Sequence, residues 1–362
     1  MTATASVPPR ANADLRGQGA AEAALLAAWE SRRIPHAWLL AGPRGIGKAT
    51  LAYRFARFVL AQATGEGAAL FGAPPPATSL AIAATNPVFR RIAAGGHADL
   101  AVLEPGMIHP DTGKETRDIV VPHVRRAIDF LMMTPAEGGW RVVIVDHAEE
   151  MNTSAANALL KILEEPHART LLMLVSHASG RLLPTIRSRC RRLDMPPLEP
   201  DVVAALLAEQ ARELPAADRQ AVALLAGGSI GRALELVEAD GLDLYRAVLA
   251  AVSARDAGGD VLHAMAERVG GIGTAAQAEF RLFLELCQHL AGLCARAAAG
   301  VPQTAALSEE SDAVARLAQR SATTWLAVWD RIRRLSSASD GLNLDRRQTA
   351  LAALFAFREA AA

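Results

Sequence analysis

The run HAWLLAGPRGIGKATLA at 36–52 constrains the fold more than any other part of the chain. A short apolar strand ends in glycine, Gly42-Pro-Arg-Gly45-Ile-Gly47-Lys48 follows, and a helix-forming run comes next. Strand, loop and helix in that order are what a GxxxxGK phosphate-binding loop requires. The glycines let backbone N–H groups close around phosphate oxygens, helped by the positive end of the following helix, and Lys48 reaches the β and γ phosphates. One residue breaks the pattern. Ala49 stands where a hydroxyl would ligate Mg²⁺, and Thr50 points about 100° further around the helix, near enough to touch phosphate but poorly placed to replace that ligand.

Three more apolar runs read as buried strands: DLAVLEP at 99–105, WRVVIVDHAEE at 140–150 and RTLLMLVSHA at 169–178. Between the last two, SAANALLKILEEPH at 154–167 reads as a helix that stops before Pro166. Strands alternating with helices predict an α/β module, a parallel sheet with helices on both faces and ligands at the carboxyl ends of the strands. Asp146 falls at such an end, where an aspartate holds the water shell of a metal ion. His147 follows it, in the place where an ATPase carries a glutamate to polarise water. Glu149 and Glu150 read as solvated carboxylates at a helix start. Residues 61–96, rich in Ala, Gly and Pro, read as an irregular connection with some helix near NPVFRRIA.

From Pro196 onward the strand signals vanish. PPLEP at 196–200 reads as a hinge, residues 201–240 hold helical patterns interrupted by AGGSIGRAL, and from about Leu244 amphipathic helices follow one another. Phe280, Phe283, Leu284, Cys287, Leu290 and Cys294 fall on one stripe and Trp325, Val328, Trp329 and Ile332 on another, and both stripes are expected in a helical core. A hydrophobic content of 51% with only 4% aromatics suits such Ala- and Leu-rich helices. The expected boundaries are 1–195, 196–243 and 244–362.

With 38 basic and 38 acidic residues the chain presents no overall basic field, which excludes a free-standing nucleic-acid binder and leaves DNA contact local or shared with partners. Cys190, Cys287 and Cys294 are too scattered for a disulfide framework and fit a reducing cytoplasm. No stretch reaches the roughly 18 apolar residues of a membrane span.

Read together, IPHAWLLAGPRGIGKATLAYRFARF (34–58), VVIVDHAEEMNTSAANALLKILEEP (142–166) and GRLLPTIRSRCRRL (180–193) resemble the delta-prime family of bacterial DNA polymerase III clamp-loader subunits, over about residues 12–195. The resemblance implies an AAA+ module, a small helical lid and a helical collar. It implies a hetero-pentameric ring with motor (gamma/tau-type) and delta-type subunits, meeting the sliding clamp and primed DNA through that complex. It further implies that Arg189, in Ser188-Arg189-Cys190, is an arginine finger acting in trans, that Ser176 is sensor 1 and that Arg232 is the sensor 2 arginine. Many relatives carry a four-cysteine zinc module after the loop helix. Residues 59–118 contain no cysteine, and His97 and His109 cannot make a tetrahedral site by themselves, so no zinc is expected. Ala49 and His147 together predict a largely non-motor subunit that holds ATP or ADP, with Mg²⁺ bound weakly or not at all. Two alternatives stand beside it: an active motor in which Glu149 or Glu150 replaces the missing base, and an unrelated P-loop nucleotide-binding protein.

Overall fold

Short apolar runs become strands in this chain because both of their faces are covered. The computed structural model describes residues 7–63, 77–137, 139–254, 259–342 and 344–361. The chain divides into two units, one running from residue 7 to Val202 and including Gly228–Gly231, the other made of Val203–Gly227 and the chain from Arg232 onward.

The first unit carries, in chain order, α1 (Gly19–Glu30), β1 (Ala37–Ala41), α2 (Lys48–Ala63), α3 (Pro87–Ala93), β2 (Leu100–Leu103), α4 (Val121–Met132), β3 (Arg141–Val145), α5 (Thr153–Glu164), β4 (Thr170–Ser176), α6 (Pro184–Arg189) and β5 (Arg191–Asp194). The strands form a parallel sheet in the order β2-β3-β4-β1-β5. Successive residues face opposite sides. Trp38, Leu40, Val142, Ile144, Leu171 and Met173 pack with α1, α2 and α3. Ala37, Leu39, Val143, Val145, Leu172 and Leu174 pack with α4, α5 and α6 on the other side. The expected α/β module with helices on both faces is therefore present.

Helix ends follow local chemistry. Asn86 and Asn152 cap α3 and α5, their side chains accepting the Val88 and Ala155 N–H groups at 2.8 and 2.9 Å. The helix expected near NPVFRRIA is α3, while residues 64–76 of that connection lie outside the described residues. Ahead of α1, the chain is fastened to α2 by two arginines. The buried Arg57 donates to the carbonyls of Arg10 and Asn12 at 3.2 and 2.7 Å and lies 4.5 Å over the Phe89 ring. Burial lowers its pKa to about 10. Arg54 donates to the Ala13 carbonyl at 2.6 Å and to Glu22 at 2.9 Å.

The second unit is helical. Beyond α7 (Pro200–Gln210), α8 (Ala216–Leu225) and α9 (Ile230–Glu238) come α10 (Gly241–Ser253), α11 (Asp260–Val269), α12 (Thr274–Ala298), α13 (Ser308–Leu317), α14 (Ala322–Leu342) and α15 (Arg346–Ala361). The stripe from Phe280 to Cys294 is wholly buried, as are Trp325, Val328 and Ile332. Trp329 departs from the expectation and stays 36% exposed. It sits four residues after Trp325, at the edge of that stripe, and its ring meets α12 at Gly292, which has no side chain to pack on it.

A buried carboxylate ties three of these helices together. Glu310 accepts the Tyr245 hydroxyl at 2.9 Å and the Leu307 N–H at 3.4 Å, bonds the Ala306 N–H, and lies 3.7 Å from His289 Nε2. Burial alone would raise its pKa, but the bonds from His289, Ala306 and Tyr245 outweigh burial and hold it below the usual carboxylate range. The stabilisation is thus present above the ordinary value near 4.5 and is lost as pH falls through the lower folded value. Glu310→Ala should cost about 1–3 kcal/mol in urea unfolding at pH 7. That loss should shrink as the pH falls below about 4.5; an equal loss at both pH values would show that the charge is not its source.

Candidate functional site

Parallel register gathers the site at one edge of the sheet. Ala41 stands opposite Ser176 on one side and Asp194 on the other, and Val145, which precedes Asp146, stands opposite Leu174. Gly42 donates its N–H to the Ser176 carbonyl at 3.3 Å as the loop leaves β1. Gly45 has φ +74°, and a Cβ there would lie 2.3 Å from Ser229 Oγ and 3.0 Å from Gly231 Cα. The Gly231 N–H donates to the Gly45 carbonyl at 3.1 Å. At Gly42 a Cβ would lie 2.3 Å from the Met195 carbonyl oxygen. Only glycine fits at these two positions, because other backbone segments press on the loop from outside. The buried Gln18 adds a further hold, its amide donating to the carbonyls of Ile46 and Pro196 at 3.3 and 3.0 Å.

Lys48 is buried and folds back onto its own loop, donating to the carbonyls of Gly42, at 2.8 Å, and Pro43. Burial lowers its pKa from 10.5 to about 8, against the pull of Glu149 and Asp146. A phosphate bound here would have to take the place of those carbonyls on the ammonium. Ala49 offers no oxygen, and Thr50 is buried in the first turn of α2.

Asp146 is turned toward its own neighbour. Its Oδ1 accepts the His147 N–H at 2.9 Å and lies 3.4 Å from His147 Nδ1. His147 holds φ +52°, uncommon for a residue with a side chain. The bond to Asp146 raises the pKa of the imidazole despite its partial burial. The residue that follows Asp146 is therefore a ring whose cationic form the neighbouring carboxylate stabilises.

Glu149 corrects the sequence reading. The short 3₁₀ turn Ala148–Glu150 folds its side chain beneath the end of β4, where it is fully enclosed rather than solvated. It accepts the His177 N–H at 3.2 Å and pairs with His177 Nδ1 at 2.8 Å. Burial pushes its pKa up, but bonds from Ser176, its own backbone and His177 more than offset that and leave it lowered. Glu150 is partly exposed and pairs with Arg181 at 3.1 Å. Ser176 is buried, and its hydroxyl accepts the Ala178 N–H at 3.2 Å.

Arg189 ends α6 with its side chain about one-third exposed, its Nη2 2.7 Å from Glu164 Oε1 and its Nη1 donating to the Thr185 carbonyl at 3.1 Å. Arg232 belongs to the helical unit and pairs there with Glu285. Gly42, Gly45, Gly47, Lys48, Thr50, Asp146 and Ser176 share the first unit. Sequence reasoning missed His177 and Gln18. His177 follows Ser176 directly and was legible as a strand-end residue, whereas only its place before α1 marked Gln18. Among the described residues no group of three or more His, Cys, Asp or Glu side chains is placed to hold a metal ion.

A family model described as DNA polymerase III, delta subunit matches residues 17–199, which span the loop, Asp146 and Arg189. The chain belongs to this family. It is 40% identical over 196 residues to DNA polymerase III subunit delta' of Pseudomonas aeruginosa, covering 54% of this chain and 53% of that one. With subunit delta' of Escherichia coli K12 it shares 34% over 217 residues, 60% and 58% of the two chains. With subunit gamma/tau of Mycobacterium tuberculosis H37Rv it shares 34% over 200 residues, 55% and 31% of the two chains. The chain spans about half the length of the delta' relatives it matches.

The buried ammonium of Lys48 gives a stability test. Its folded pKa lies below its unfolded one, so between about 8 and 10.5 the unfolded chain binds more protons and stability from this residue rises with pH. Lys48→Met should therefore melt above the parent protein at pH 7, and the gap should close toward pH 10.5. A variant that melts lower across the whole range would mean that the carbonyl bonds outweigh the cost of burial.

Proposed function

We propose that the chain serves the DNA polymerase III holoenzyme as a delta-prime-type clamp-loader subunit, a largely non-motor stator that holds nucleotide without turning it over and lends Arg189 to a neighbour. The observation that carries this reading is the state of the two catalytic positions. Ala49 has no hydroxyl for Mg²⁺, and His147 leans on the carboxylate of Asp146 that would hold the water shell of the metal. The phosphate cradle itself is retained. ATP or ADP would lie against the backbone N–H groups of Gly42–Lys48, with Lys48 on the phosphates and Thr50 and Ser176 close by. Mg²⁺ would be weakly held or absent.

An active motor relying on Glu149 or Glu150 finds little support. One carboxylate is enclosed against His177 and the other is paired with Arg181. In the reading proposed, residues 196–243 act as the lid and 244–362 as the collar of a hetero-pentameric ring with gamma/tau-type and delta-type subunits. The zero net charge suits a subunit that reaches the sliding clamp and primed DNA through its partners, in the cytoplasm. Arg189 would meet the phosphates of a neighbouring nucleotide with paired, charge-assisted bonds.

Two measurements test this. The isolated chain should hydrolyse ATP at background, and a rate of about 1 s⁻¹ or more would overturn the non-motor part. In the reconstituted complex, Arg189→Ala should assemble, keep part of the DNA-stimulated ATPase and load clamps markedly less well, because arginine fingers contribute about 10³–10⁵ in rate at the site they serve. Arg192→Ala, whose parent side chain is tied to Asp194 at 2.8 Å, should behave nearly as the parent. Unchanged loading by the Arg189→Ala complex would remove the role in trans.

A further inference from the structure

The last turn of α5 breaks a local rule. Carboxylates are unfavourable at a helix C-terminus, where the backbone dipole presents its negative end. The chain nevertheless places Glu164 as the last residue of α5 and Glu165 as its cap. Such a conflict calls for a compensating charge or a purpose beyond folding.

Lys161 lies in that last turn too, and the charge that meets Glu164 itself is Arg189. Its Nη2 lies 2.7 Å from Glu164 Oε1, and its Nη1 is held by the Thr185 carbonyl at 3.1 Å, with Ser188 Oγ at 3.5 Å. Two nearby arginines are bound elsewhere, Arg181 by Glu150 and Arg192 by Asp194. Two anchors from different elements fix a planar fork in direction as well as place. A guanidinium has five N–H donors, so this hold leaves donors for an incoming anion. Both side chains of the pair remain partly exposed. An ion pair in contact with water is weak, so the guanidinium can leave it for an incoming anion.

We propose that Glu164 is the positioning residue for Arg189, presetting the guanidinium for the phosphates of a neighbouring subunit. The proposal rests on the reading of Arg189 as a residue acting in trans. In an unanchored arginine the full rotamer freedom of a long side chain is lost at the moment of reaction; Glu164 removes much of that freedom beforehand. Glu164 meets no nucleotide itself.

The test uses the full chain in the reconstituted complex with gamma/tau-type and delta-type subunits, sliding clamp and primed DNA. Glu164→Gln keeps the size and removes the charge. It should remove about half or more of the DNA-stimulated turnover that Arg189→Ala removes, through kcat with KM for ATP unchanged. Melting temperature and subunit stoichiometry should stay at parent values, which a merely structural role would not predict. Glu164→Asp should fall between the parent and Glu164→Gln. The double variant Glu164→Gln with Arg189→Ala should match Arg189→Ala alone, since two residues acting through one group are not additive. If Arg189→Ala lowers turnover while Glu164→Gln does not, or if the two losses add, the positioning role is wrong and the finger stands. If Arg189→Ala leaves turnover unchanged, the finger reading itself fails.

Discussion

The pairing of β1 between β4 and β5 determines where the chemistry can lie. Because Ala41 is opposite Ser176 and Asp194, the phosphate loop, Ser176 and Asp146 leave the sheet at one edge. That pairing needs both faces of β1 covered. Trp38 and Leu40 fill one layer of side chains and Ala37 and Leu39 the other. A shift of one residue would exchange the two sets, so register and packing enforce each other. The glycines of the loop then find their constraint in what the sheet brings beside them, the Met195 carbonyl and the Ser229–Gly231 segment.

At that edge the charges satisfy one another. Asp146 faces His147, Glu149 faces His177, and Lys48 feels both carboxylates while bonding to its own loop. Each of these groups is engaged with a partner from the chain itself. The arginine at the end of α6 differs, since it is partly open to solvent and held by a pair that water weakens.

The strands and α5 were legible because burial on both faces leaves continuous apolar runs, and the loop was legible because its backbone demands glycine. β5 was not. Its residues Arg191, Arg192, Leu193 and Asp194 are mostly exposed on an edge strand, so no apolar run marks it. α4 carried a signal that went unread, Val124, Ala127 and Leu131 on one face with Pro122 in the first turn. Glu149 was misread because spacing alone does not reveal a 3₁₀ turn that swings a carboxylate under a strand. Trp329 was misread because a stripe defined by spacing is wider than the groove that buries it. The link from Glu164 to Arg189 joins residues 25 positions apart and has no counterpart in local pattern.

The arm before α1 is gripped through atoms that every amino acid has. Arg57 and Arg54 hold the carbonyls of Arg10, Asn12 and Ala13, and the arm continues to Leu15, which comes within 3.0 Å of where a Cβ on Gly47 would stand. The grip therefore reads the path of the backbone and ignores which side chains decorate it. The two arginines that hold it act through side chains, and so does Leu15, which packs against the core of the first unit. A stretch that looks arbitrary in composition thus has a fixed course beside the phosphate loop, written in α2 as well as in itself.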